Sequence, residues 1–292
     1  MKPLFKILFY LLATVVLGAL LASPFYWGGH WLAEHGTLPA LAEVPFRRYF
    51  HRSLLVAALV LLWPTIRWLQ VRALGLAPNP HRWRDLSAGF ASSFLVMAGL
   101  GALMLALGIV EMRGHIKGAV FMGAATAAIG ASFLEEWLFR GAILGLLIHS
   151  MNRYGALFAT SALFSIIHFF KPNTPDPATV EWFSGFAMIP AAFANFQEPW
   201  LVLGGFVTLF LVGWTLGWSR LKTRSLWMPI GLHAGWVFGL KAFSGVTRRV
   251  IKANETMPWF GETLYVGLAS VIAILITLSA VWLILRKRER RA

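Results

Sequence analysis

The 292-residue chain contains no cysteine. That absence excludes disulfides, iron–sulfur clusters, thiolate zinc sites and a cysteine nucleophile, and it leaves the redox compartment open. Charge is also scarce: Asp, Glu, Lys and Arg together make up 13% of the residues, and the acids number only 12. The chain carries no internal repeat, no low-complexity tract and no polar stretch long enough for a soluble domain. The glycines Gly204, Gly205, Gly213 and Gly217 recur at near-helical spacing and no Lys-Ser/Thr follows a strand here, so they suit close helix packing rather than phosphate binding. The basic surplus of +14 is dispersed between apolar segments without an aromatic-interleaved patch. It therefore argues against a nucleic-acid partner and for cytoplasmic flanks and anionic lipid headgroups.

What the chain has in excess is apolar surface. It is 58% hydrophobic, with 14 Trp and 23 Phe, and its mean hydropathy is +0.67. Such a composition implies an all-α, polytopic transmembrane helix bundle. A span needs about 20 mostly apolar residues, and eight candidate spans fall near 5–23, 53–70, 89–110, 118–148, 155–170, 200–218, 226–241 and 264–285. The segment 183–196 is apolar but short and broken by Pro190, and it reads as a short re-entrant or interfacial segment. Lys2 and Lys6 precede an apolar run over 7–22 that looks like a signal peptide. That run exceeds the usual h-region of about 7–15 residues, and Pro24 follows Ala22 and Ser23 in a poor cleavage context, so an uncleaved first span is expected.

An even number of spans places both termini on one side, and the basic tail from Arg286 to Arg291 assigns that side to the cytoplasm. Arg47, Arg48 and Arg52 then fall on the opposite side, as an amphipathic stretch ahead of the second span. The chain divides into N-terminal transmembrane helices over 1–117, a helical core over 118–245, and a last transmembrane helix with its basic tail over 246–292.

Three ionisable residues stand where lipid-compatible sequence is expected: Glu135, Glu136 and Arg140, in Ala131-Ser-Phe-Leu-Glu-Glu-Trp-Leu-Phe-Arg-Gly141. Each such group costs on the order of 2.5–3.5 kcal/mol on insertion scales, so the cluster marks a functional candidate. Glu136 and Arg140 are spaced i, i+4 and share a helix face, whereas Glu135 is turned about 100° away. The two acids are therefore expected to have different partners, with Arg140 neutralising Glu136 and Glu135 facing the bundle interior. In the hairpin around the turn at 150–154, Glu135 and His168 each lie roughly 20 Å from the turn at 1.5 Å rise per residue, at a common depth. His233 comes out shallower, roughly 10 Å from the same side. A carboxylate at such a site can serve as a general base, with the histidines as partners. The alternatives for these residues are a structural ion pair for Glu136 and Arg140, a proton-relay carboxylate for Glu135, and packing roles for His168, His233 and Phe164.

The ordered set Glu135-Glu136-x-x-x-Arg140, then Phe164-x-x-x-His168, then the Gly/Trp-rich helix through Leu221-Lys-Thr-Arg-Ser-Leu-Trp-Met-Pro-Ile-Gly-Leu-His233 resembles the motifs of the CPBP family. These are the CAAX prenyl proteases and bacteriocin-processing enzymes, also called the Abi family, intramembrane endopeptidases of the glutamic type. The resemblance covers roughly residues 118–245. It implies that Glu135 and His168 activate the attacking water, that Arg140 holds Glu136, and that His233 donates to the developing oxyanion. Members of the family usually carry Asn or Asp four residues after that last His, and this chain has Val237. Asn195 and Ser165 are the substitute donors.

The expectation is thus an intramembrane endopeptidase that hydrolyses a peptide bond with glutamate- and histidine-activated water. Its substrate is a peptide or protein, lipidated ones included, and membrane lipids surround it. The competing readings are a catalytically impaired membrane scaffold or chaperone of the same fold, motivated by Val237, and a proton-coupled transporter built on Glu135. No cofactor is expected. Zinc is the lesser reading, since two His and a Glu can ligate it but the chain lacks a His-Glu-x-x-His helix. The expected location is the inner membrane of a bacterial cell, with N and C termini cytoplasmic.

Overall fold

The computed structural model describes residues 3–69, 79–170, 172, 175–193, 196 and 199–289. In chain order the helices are α1 (Pro3–Glu34), α2 (Phe46–Leu69), α3 (Arg82–Ala106), α4 (Ala119–Glu136), α5 (Leu144–Leu147), α6 (Arg153–Phe169), α7 (Ser184–Ala191), α8 (Pro199–Thr223), α9 (Trp227–Val246), α10 (Ala253–Thr256) and α11 (Leu268–Glu289). A π-helical turn, Trp137–Ile143, joins α4 to α5. The strands are β1 (Val110–Met112) and β2 (Thr247–Arg249), antiparallel with Val110 opposite Arg249. The fold is all-α in character, and this short ribbon has no counterpart in the sequence pattern. The segment with Pro190 contains the eight-residue helix α7.

Among the described residues, four helical stretches are long and apolar enough to cross a membrane: Phe5–Glu34, Arg82–Ala106, Val202–Thr223 and Leu268–Lys287. The other expected spans also fall on helical segments, but not on ones that meet this standard, and their sequences say why. α6 has only 17 residues, α4 has 18 but ends in Glu135 and Glu136, and α9 contains His233 and Lys241. α2 opens with Arg47, Arg48, His51 and Arg52, and position 70, the end of its expected span, lies outside the described residues. The three helical stretches that carry the polar motifs are thus among those whose apolar character is diluted.

Contacts group the chain into two compact units, residues 1–71 with 166–202, and residues 72–165 with 203–292. In the first, α1 packs along α2 and α7. Ala19 and Ala22 are fully buried against Phe50, Phe46 and Met188, and the hydroxyl of Ser53 donates to the carbonyl of Gly18 at 2.6 Å. A Cβ at Gly185 of α7 would run into the carbonyl of Ala19, so this short helix meets α1 backbone to backbone. Small residues allow that approach where there is no water to drive association.

In the second unit α9 is the central element, packed against α3 and α4. Gly231, Gly235 and Gly239 recur every four residues along one face. A Cβ at Gly235 would meet the Phe90 carbonyl at 2.5 Å, and one at Gly89 would meet the Met228 carbonyl at 2.6 Å. These glycines let α3 and α9 touch through their backbones, while Leu232 and Trp236 pack with Met97, Leu100 and the α11 residues Ala273, Ile274 and Val281. The ribbon of β1 and β2 ties the chain leaving α3 to the end of α9, and Glu111 pairs with Arg248 across it. With α3 behind it, α9 presents His233 to the end of α4.

Candidate active site

The residues that form the site come from α4, the π-turn, the first part of α6, α8 and α9. Glu136 is the last residue of α4 and Arg140 lies in the π-turn. Both are fully buried. Arg140 Nη1 donates to Glu136 Oε1 at 2.8 Å and Nη2 donates to the carbonyl of Gly213 on α8 at 3.2 Å. That carbonyl is reachable because Gly213 lies against Ser161 of α6, with room for no larger residue: an added Cβ would sit 3.0 Å from Ser161 Cα. The guanidinium stacks 4.4 Å from the ring of Phe164, itself 1% exposed. A desolvated cation–π contact of this kind is worth about 2 kcal/mol. The Phe of the Phe164-x-x-x-His168 motif is therefore a packing partner of the Arg140 guanidinium.

Glu136 Oε1 also receives His233. The imidazole Nδ1 lies 2.8 Å from that oxygen, and Nε2 lies 3.9 Å from Glu135 Oε2. The second distance is too long for a direct hydrogen bond and is one of charge proximity. Arg140, Glu136, His233 and Glu135 thus form one chain of ionisable groups. The side chain of Glu135 is 26% exposed and that of His233 is 7% exposed, so burial decreases from Glu136 outwards to Glu135. An anionic Glu136 can only accept, which makes Nδ1 of His233 a donor and leaves Nε2 as the atom turned toward Glu135. The ring of Phe164 meets His233 edge-on at 6.1 Å between centroids and so limits the tilt of the imidazole.

Two expectations change here. The spacing argument gave Glu135 and Glu136 separate partners, yet His233 meets both. An imidazole has nitrogens on two edges, and a residue on a second helix can span the angle between adjacent positions of the first. His233 also came out shallower than Glu135 by residue count, whereas it lies level with the end of α4. The count assumed parallel, untilted helices, and the actual helix pair need not obey that.

Of the other predicted residues, His168 is half-buried in the last turn of α6. It belongs to the part of the chain that groups with the first unit, whereas Glu135, Glu136, Arg140 and His233 belong to the second. Ser165 does not offer a spare donor, because its hydroxyl donates to the Phe206 carbonyl at 2.9 Å. Asn195 lies outside the described residues. Val237 is half-buried, four residues on from His233. Sequence reading missed Gly213 as the carbonyl that receives Arg140, because a main-chain acceptor has no residue type to reveal it. It also missed the indole N–H of Trp236, buried without a hydrogen-bond partner among the described residues and only three positions from His233. Among the described residues, no three His, Cys, Asp or Glu side chains are grouped in a way that could hold a metal ion.

Comparison with known proteins points to one family. Residues 117–239 match the family model described as type II CAAX prenyl endopeptidase Rce1-like. No curated protein matches the chain, and no solved structure matches it. The matched region contains every motif residue from Glu135 to His233. Residues 117–239 are thus similar to the Rce1-like CAAX prenyl endopeptidases, and together with the apolar helices this similarity supports an integral membrane protein.

Proposed function

We propose that the protein is an eight-span intramembrane endopeptidase of the glutamic type, using no metal or other cofactor, with both termini on the cytoplasmic side of a bacterial inner membrane. The observation that carries this reading is the buried Arg140–Glu136–His233 chain, which turns an imidazole nitrogen toward the partly exposed Glu135 inside a protease-family region. Glu135 takes a proton from water, and the oxygen attacks the scissile carbonyl carbon. The carbonyl π electrons move onto oxygen, where the Nε2–H of an imidazolium at His233 donates to them. A preorganised donor of that kind is commonly worth about 3–4 kcal/mol of barrier. Collapse of the intermediate breaks the C–N bond, and Glu135 returns its proton to the leaving amine. His168 assists water activation by analogy with the family. Arg140 and Glu136 position the imidazole. The substrate is a membrane-delivered peptide or protein, lipidated ones included.

The test is cleavage of a fluorogenic membrane peptide by the purified full-length protein in liposomes, with and without a prenyl group on the peptide. Glu135→Ala and His168→Ala are expected to abolish cleavage. If both variants cut as well as wild type, the mechanism is wrong.

Val237 favours a second reading, a scaffold or chaperone that binds a membrane peptide without cutting it. It provides no hydrogen-bond donor, and the hydroxyl of Ser165 is already engaged. Val237→Asn separates the two: an inactive protein that gains cleavage supports the scaffold, and robust wild-type cleavage removes it.

A further inference from the structure

A cavity of about 300 Å³ opens in the first unit, away from the protease-like chain of residues. Its wall is built by Tyr26 and His30 of α1, Glu43 of the connecting segment, Phe46 at the start of α2, and Asp176. Tyr26 and His30 are one helical turn apart, with ring centroids at 4.1 Å, and Phe46 meets Tyr26 edge-on at 5.7 Å. Asp176 is held in place by α2, since Oδ2 accepts from the Phe46 amide at 3.0 Å and Oδ1 from the Arg47 amide at 3.1 Å. Each carboxylate oxygen retains accepting capacity. His30 Nε2 is buried and has no hydrogen-bond partner among the described residues.

The chemistry of this wall restricts its occupant. Two carboxylates exclude an anion. A hard divalent cation needs six or more oxygen ligands, and the described residues offer no grouping of three metal-ligating side chains. What remains is an organic cation that donates hydrogen bonds. Its charge faces Glu43 and Asp176, its N–H groups satisfy them and a His30 protonated on Nδ1, and its carbon stem lies on the rings of Tyr26 and Phe46. A quaternary ammonium has no N–H for His30, so a primary ammonium fits better.

The surroundings identify where that ammonium comes from. Trp31 and Trp182 are exposed, Trp27 packs edge-on against Trp182 at 4.7 Å, and Tyr49 lies edge-on to Tyr26 at 5.5 Å. Such a collection of Trp and Tyr at the end of an apolar helix belongs at headgroup depth. Arg47 and Arg48 are exposed immediately beyond Phe46, where a lipid phosphate adjoining the cavity would meet them. We propose that the first unit binds the headgroup of a phosphoethanolamine lipid, with its ammonium in the cavity between Glu43 and Asp176 and its phosphate on Arg47 and Arg48. The site rests on the integral-membrane character of the chain and is independent of the protease reading.

The experiment is native mass spectrometry of the full-length protein released from nanodiscs of phosphatidylcholine containing equal amounts of phosphatidylethanolamine and phosphatidylglycerol. Phosphatidylethanolamine is expected to be retained over both other lipids by about tenfold, and Glu43→Lys, a change on an exposed connecting segment, to reduce that preference to near parity. Free ethanolamine added to phosphatidylcholine-only discs tests the source: binding that Glu43→Lys removes supports the ammonium site with a soluble amine as ligand. Equal retention of the three lipids, a preference for phosphatidylglycerol, or a phosphatidylethanolamine preference unchanged by Glu43→Lys overturns the proposal.

Discussion

Arg140 is fully buried and engages a carboxylate, a main-chain carbonyl and an aromatic face at once. Removing it leaves the buried Glu136 carboxylate with His233 as its remaining partner, so Arg140→Met is expected to destabilise the protein by about 3–5 kcal/mol. Denaturant unfolding in detergent measures this. Adding Glu136→Gln to Arg140→Met should restore much of the loss, because the second change removes the stranded charge. Glu135 behaves differently, as its carboxylate is partly exposed and stands at the open end of the chain. Glu135→Gln is expected to abolish cleavage while changing stability by no more than about 0.5 kcal/mol. The i, i+4 pairing of Glu136 with Arg140 was legible in the sequence because helix periodicity alone sets it. The sharing of Glu136 between Arg140 and His233 was not, since it joins positions 97 residues apart.

At the scale of elements, the π-turn and the α3–α9 contact set the geometry. Trp137–Ile143 departs from α-helical pitch where Arg140 must reach both Glu136 and α8. π-turns recur at functional sites, but a run such as Trp-Leu-Phe-Arg-Gly gives no warning of one. The glycine stripe at 231, 235 and 239 is readable as a row of small residues, yet only the partner helix shows what it meets. Gly235→Ala pushes a methyl group into the Phe90 carbonyl. An overpacked contact of this kind is expected to cost about 1–3 kcal/mol. Because α9 holds His233, the same change should lower kcat of peptide cleavage more than it raises KM. A Gly99→Ala control on α3, where nothing lies within 4 Å, should leave both stability and kinetics near wild type.

At the scale of the whole molecule, the natural absence of cysteine makes each introduced cysteine a unique label. In the proposed topology of eight spans and cytoplasmic termini, Ser150→Cys reacts with an impermeant maleimide only from the cytoplasmic side, whereas Ser279→Cys, within the last span, reacts slowly from either side. Thr37→Cys should react only from the outside. Reaction of Thr37→Cys and Ser150→Cys from the same side contradicts the proposed topology. Composition and hydropathy by themselves determined that this is a helical membrane protein, because lipid leaves the backbone few other ways to satisfy its hydrogen bonds. Motif order and spacing carried the resemblance to the protease family and singled out Glu135, Glu136, Arg140, His168 and His233. Tertiary structure alone decided that His233 bridges Glu135 and Glu136, that Gly213 receives Arg140, and that Tyr26, His30, Glu43 and Asp176 surround a cavity. Each depends on contacts between segments far apart in the chain, whose relative tilt and rotation are set by packing and have no period in the sequence.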